Sequence, residues 1–391
     1  MKGLKSVIPL AARCRATTVV SIGVLRFKAR VQSRRGTVSR GSGRVSLVAG
    51  GRRCLLALLG LALNGAAGAM TLQDVFTQPE LEQRAAISDT VGRWFQAEDF
   101  TEIEHFADEA RTKNLRTASG LWVIGLVYGG IDDIANYRKV KDDAGWDQLE
   151  GTAKRWIAAY PASVTAKIAY AAILENRAWL YRGGGYANTV SEEQFDAFYR
   201  QIEKAKKYDE ATREVAGSDP NWYLKYLAIL RLQKGGKQDE FERTFDEATK
   251  AFPDYYPNYF EAMTYYLPKW HGNAYEVERF ARRVMKSRDK RTGQMLYARI
   301  YWYASQNQFK DVIFLVSVAH WNDMRDGFKA IVADYPDQWN INNYAKFACL
   351  VGDEQTTREA FGLIKGDPIK SAWPSTEQYR TCEQLAGRNS L

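Results

Sequence analysis

The sequence predicts an all-α protein, an irregular tetratricopeptide-like array of antiparallel helical hairpins that is α-solenoid-like in kind. Three observations lead there. Three helical patterns end on an aromatic residue followed by proline: Tyr160-Pro161, Phe252-Pro253 and Tyr335-Pro336. Proline lacks an amide hydrogen and pushes the residue before it out of the helical region, so each pair stops one helix before the next begins. Between these stops, apolar residues recur at steps of three and four, the period of a helix with one buried face. No alternating run of useful length marks a strand.

The elements follow in order. Ile87–Gln96 and Thr101–Lys113 read as a short hairpin turned at Glu98-Asp99-Phe100. Leu121 to Tyr128 is apolar on all sides, which predicts a buried helix ending at Gly129-Gly130. From Trp146 to Tyr160, Leu149, Ala153, Trp156 and Ile157 form an amphipathic stripe. Ser163 is placed to cap a helix through Tyr181, which Gly183-Gly184-Gly185 breaks. Ser191 with Gln194 forms a capping-box signature opening a long helix to about Ala216. Asp219 caps and Pro220 occupies the first turn of a helix from Trp222 to Gln233; Gly235-Gly236 turns the chain and Asp239 to Phe252 returns it. In that returning helix Phe245, Ala248 and Pro253 stand at the tetratricopeptide spacing of Phe, Ala and terminal Pro. The first helix of the pair lacks that repeat's Trp, Leu, Gly and Tyr positions. Pro220 and Pro253 are near the expected period apart, but the three aromatic-proline stops are not evenly spaced, so the array is irregular.

Charge divides the chain in two. Residues 1–53 hold ten Arg and three Lys, and the first acid is Asp74. Removing those thirteen from the 55 basic residues leaves 42 against 46 acidic ones, so the body is mildly acidic despite a formal charge of +9 for the whole chain. A nucleic-acid or anionic-membrane footprint is not supported. Arg52-Arg53, the apolar run Cys54 to Leu63 and the small-residue motif Ala67-Gly68-Ala69 are laid out as a secretory signal peptide. The apolar run falls short of the roughly 20 residues that span a bilayer. Two domains are expected: residues 1–69 as a basic extension plus signal peptide, and residues 70–391 as a single helical domain without a transmembrane anchor. The address is periplasmic or secreted. Residues 1–50 exceed an ordinary signal-peptide flank and read either as a transit-like extension or as an over-extended gene start. Cys349 and Cys382 then remain in the body, either as one disulfide tying the terminal helix to the last hairpin or as two buried thiols.

The motifs that carry catalysis are absent: there is no nucleophile elbow, phosphate-binding glycine loop, zincin motif or CxxC pair. His105 and Glu109 have a metal-compatible helical spacing, but Glu102, Glu104 and Asp108 make that face a solvated charged one, and no metal or cofactor is expected. Two loops stand out. In the first, Trp179, Arg182 and Tyr186 flank the triple glycine. In the second, Trp270, His271 and Gly272 follow a helix-ending proline. Either loop could recognise a sugar, peptide or partner, or be a structural corner in which Trp fills a gap and Gly permits positive φ. Tyr301 and Trp302 belong to the dense aromatic segments, which are divided between core and a binding groove.

The same residues carry a family likeness. Asp99-Phe100, Gly120-Leu121-Trp122, Tyr160 to Ser163, Ala178-Trp179, Arg182-Gly183 with Gly185-Tyr186-Ala187, Asp219-Pro220, Leu267 to Gly272, Tyr297 to Trp302, Met324, Gly327-Phe328, and Tyr335 to Asn340 through Phe347-Ala348-Cys349 are its segments. Together they resemble a family of bacterial helical proteins filed as a domain of unknown function, with a tetratricopeptide-like fold, over roughly residues 72–373. The resemblance implies that fold and a bacterial origin, and brings no reaction, cofactor or catalytic residue. The function expected from sequence is an exported helical scaffold binding a protein or peptide at the cell envelope. The alternative is an envelope enzyme or a sugar- or metabolite-binding protein using the two loops, with Arg182 clamping an anion, Trp179 or Trp270 stacking a ring and His271 carrying a proton.

Overall fold

The computed structural model describes residues 76–388; the leader expected over residues 1–69 lies outside the described residues. The first hairpin is α1 (Glu80–Ala97) and α2 (Phe100–Thr112). Then follow α3 (Val123–Ile134) and α4 (Asp143–Ala159), and two packed pairs, α5 (Val164–Arg182) with α6 (Glu192–Ala216) and α7 (Pro220–Leu232) with α8 (Gln238–Ala251). Then come α9 (Tyr256–Tyr265), α10 (Ala274–Lys286) and α11 (Lys290–Ala304). A π-turn over Ser305–Phe309 and the short α12 (Ile313–Val316) form a corner that exposes Val312, Leu315 and Val316. The chain ends in α13 (Trp321–Asp334), α14 (Gln338–Val351), α15 (Glu354–Leu363) and α16 (Thr376–Leu385). Among the described residues no strand forms; Arg116 and Trp122 make an isolated antiparallel bridge. No helix there is long and apolar enough to cross a membrane.

The three aromatic-proline stops adopt nearly one backbone conformation. Tyr160, Phe252 and Tyr335 end α4, α8 and α13 with φ of −129°, −131° and −134° and ψ of 72°, 69° and 77°. In each, the aromatic amide closes the last helical hydrogen bond, to Trp156, Ala248 and Ile331 respectively. The proline that follows has no amide to continue the ladder. The expected caps are in place as well. Ser163 accepts from the Ala166 amide, Ser191 and Gln194 form a reciprocal capping box, and Asp219 accepts from the Asn221 amide beside Pro220.

One boundary moves. The helix expected to end at Gly129-Gly130 runs on to Ile134. A Cβ on Gly130 would stand 2.4 Å from the Ser88 carbonyl oxygen, and one on Gly92 would stand 3.3 Å from the Gly130 oxygen. These glycines let α1 and α3 meet backbone to backbone, and the packing gained there outweighs their poor helix propensity.

The hairpins stack in two layers. In the inner row α3 packs on α1, α5 on α3, α7 on α5, α9 on α7 and α11 on α9. In the outer layer α2, α4, α6, α8, α10, α13 and α15 each pack against inner helices. The row then closes: α14 contacts α1, Trp339 lies 6.0 Å from Trp302 of α11, and Asn340 Nδ2 donates to the Ser119 carbonyl at 3.2 Å. Rings fill the space between the layers. Phe241 of the outer α8 stacks on Tyr265 of the inner α9 at 4.2 Å, for example, and both are buried. Behind the closure, Cys349 of α14 and Cys382 of α16 are joined by a disulfide, with Cα atoms 5.5 Å apart.

Candidate functional site

The closed inner row leaves a cavity of about 290 Å³ bounded by α1, α3, α7, α9, α11 and α14. Trp122, Tyr255, Phe260, Trp302, Tyr303 and Trp339 give it ring-lined walls. Their neighbours fix them. Trp122 meets Tyr255 edge-on at 5.6 Å and donates its indole hydrogen to the Asp254 carbonyl at 2.9 Å. Phe260 lies parallel to Tyr303 at 4.7 Å. Tyr255 is fully buried and donates to Asn221 Oδ1 at 2.8 Å.

Two polar groups interrupt this wall. One gathers Arg84, Ser119, Arg299 and Asn340. Arg84 pairs with Glu80, donates to Ser119 Oγ at 2.7 Å, and faces the Trp339 ring. Burial works against the Glu80 carboxylate, but Arg84, the Ser119 and Thr117 hydroxyls and the Ser119 amide outweigh it and hold its pKa below the usual value. Arg299 is different. It is only 4% exposed, and no carboxylate lies within ion-pair distance among the described residues. Its guanidinium stacks over Tyr256 at 4.4 Å, with Tyr335 beyond at 5.9 Å. Its hydrogen bond to the Ser119 carbonyl is 3.5 Å long, and its Nε has no partner. Trp302 Nε1 and Asn340 Oδ1, on neighbouring walls, are also buried without partners. Burial lowers the pKa of Arg299, and Arg84 and Arg116 add to that effect.

The second polar group joins α3, α5 and α7. Lys225 Nζ donates to both Asp132 oxygens, at 2.9 and 3.0 Å, and Asn176 donates to the same carboxylate at 3.0 Å. Glu175 stands 3.8 Å from Lys225. Burial, aided by Asp132 and Glu261 and opposed by Lys225, pushes Glu175 up to about 7. The fully buried Asp209 behind it has no partner on either oxygen and is driven well above the carboxylate range, chiefly by burial. Unlike Arg299, the Lys225 ammonium is neutralised within the protein.

Of the residues singled out from sequence, Trp302 lines this cavity. Trp179 is buried against Phe198 at 5.3 Å, and Arg182 covers its ring at 5.2 Å while donating to the Gly183 and Gly185 carbonyls. Arg182 therefore braces its own loop. Tyr186 is exposed at the end of that loop. Trp270 lies under the Arg231 guanidinium at 4.2 Å; His271 stacks on Tyr265 and its Nε2 donates to the Arg231 carbonyl at 2.9 Å. Gly272 is held to glycine because a Cβ would stand 2.3 Å from the Tyr266 oxygen. Tyr301 is buried and donates to Glu278 at 2.6 Å. Neither loop lines the cavity, and Arg182, Trp270 and His271 are each engaged in bracing their own corner. His105 is exposed and Glu109 pairs with Lys113. Among the described residues no group of three or more His, Cys, Asp or Glu is arranged to hold a metal.

Sequence reasoning passed over Arg299 and Asn340. A signal was available for Arg299: it sits in an apolar run, and Met295, Leu296, Trp302 and Tyr303 occupy the positions three and four residues away where an acid would pair with it. Asn340 gave no such signal, because its meeting with Ser119 crosses the seam between the two ends of the array. No family model, no curated protein and no solved structure matches the chain.

Proposed function

We propose that the chain is an exported binding protein that takes a small, flat ligand into the cavity of its helical ring. The observation that carries this reading is the cavity itself: about 290 Å³, close to the lower end of ligand-site volumes, walled by rings and interrupted by buried polar atoms that no side chain satisfies. Apolar walls supply affinity, and the few unsatisfied polar atoms supply orientation. This keeps the exported binding protein expected from sequence and replaces the protein or peptide partner with a small molecule. Export is supported by the signal-peptide layout ahead of Met70 and by the Cys349–Cys382 disulfide, a bond that persists in oxidising compartments.

The test is calorimetric and thermal-shift titration of the protein, recovered with its N-terminus near Met70, against one- and two-ring compounds. The expected result is saturable one-to-one binding with a rise in Tm, lost in Ala85→Trp, which fills the cavity from α1. No binding by the unmodified protein, or binding that Ala85→Trp leaves intact, overturns the reading.

A further inference from the structure

We propose that the ligand is an arene bearing a single carboxylate, and that Arg299 receives that carboxylate. The inference rests on the cavity reading above and names its ligand class. A guanidinium cannot shed its proton in a protein, so a buried one needs compensation. Arg299 is 4% exposed, with no ion pair and one hydrogen bond at the distance limit. Its stacking on Tyr256 occupies a face of the planar group. The N–H donors lie along the edges, the geometry that a carboxylate meets with two parallel hydrogen bonds. Trp302, whose Nε1 is a second unpartnered donor, lines the same cavity, and the surrounding rings hold the flat body.

The pairing of the neighbouring arginines argues for one carboxylate. Arg84 is already matched by Glu80, and Arg116 faces the exposed Asp254. Asp337, capping α14, lies close enough to Glu80 and Arg84 to feel both charges. Of these three arginines only Arg299 has no carboxylate within ion-pair distance among the described residues, so a single carboxylate completes its pairing. A phosphate dianion would leave a surplus negative charge beside Glu80 and Asp337.

The experiment uses 2-naphthoate, its neutral isostere 2-naphthamide, and 2-naphthyl phosphate, each titrated calorimetrically into the full protein. The expected order has naphthoate binding about tenfold or more tighter than naphthamide, the size of a charge-assisted hydrogen bond, with the phosphate ester weaker than naphthoate. Arg299→Gln should bring naphthoate and naphthamide to similar affinity. Arg299→Lys, which keeps the charge but loses the planar fork, should fall between. The ranking in the unmodified protein decides the matter even if a variant fails to fold. Equal binding of the acid and the amide overturns the Arg299 assignment while the cavity reading stands. Tighter binding of the phosphate ester overturns the monocarboxylate class. Failure of all three probes where other ring compounds bind overturns the inference alone; failure of every ring compound removes the cavity reading with it.

Discussion

Glu175 illustrates how burial and neighbours set the behaviour of a single side chain. Burial and the charges of Asp132 and Glu261 outweigh Lys225 and Arg231, and it holds its proton to about pH 7; the buried Asp209 feels its charge in turn. An unfolded glutamate releases that proton near 4.5. Between these values the folded state binds more protons than the unfolded chain, so this residue's contribution makes stability fall as pH rises from about 4.5 to about 7, and stay level above. Glu175→Gln removes the dependence. Relative to the unmodified protein, the variant should gain stability across that window, by on the order of 3 kcal/mol at most. Urea unfolding at stepped pH measures the difference, and a gap that does not change with pH would mean that Glu175 is ionised throughout. The residue was legible in sequence as a polar position inside a helix and no more, because its neighbours come from four different helices.

At the scale of the helix, local chemistry was read well where it is local. Caps and stops depend on neighbours within four residues, and Ser163, Ser191, Asp219 and the three aromatic-proline pairs form as expected. The exception is Gly129-Gly130, where glycine reads as a breaker in sequence and serves as a contact surface in the structure. The Gly130 position faces the Ser88 carbonyl with no room for a methyl group. Gly130→Ala should therefore destabilise the protein by about 1–3 kcal/mol even though alanine is the better helix former. Equilibrium unfolding of this variant decides between the two roles: a gain in stability would mean that propensity governs the position and that α1 and α3 tolerate separation.

For the whole molecule, the decisive feature is the seam at which α14 meets α1 and Asn340 reaches Ser119. The seam turns what would be the concave face of an open array into the wall of a cavity. A closed ring of this length should have a radius of gyration of about 20 Å in solution, near the value for any well-packed domain of its size. Small-angle scattering on residues 70–391 measures it, and a clearly larger radius would mean that the array opens at the seam. Trp302 could be named from sequence as an aromatic binding residue, but Arg299, Trp339 and Asn340 could not be joined to it, since nothing in a periodic pattern states where a row of helices ends.

By itself, then, the sequence determined the all-α class and the caps and proline stops that punctuate it. Helical period, caps, proline stops and charge blocks are all short-range properties of a chain. Only the tertiary structure decided that the inner row closes, that the loops around Trp179 and Trp270 brace separate corners, and that a guanidinium at residue 299 is left without a counter-charge. Each of these depends on which side chains meet across distant elements, and the accumulated rotation between successive hairpins, which sets those meetings, is written in no single segment of the chain.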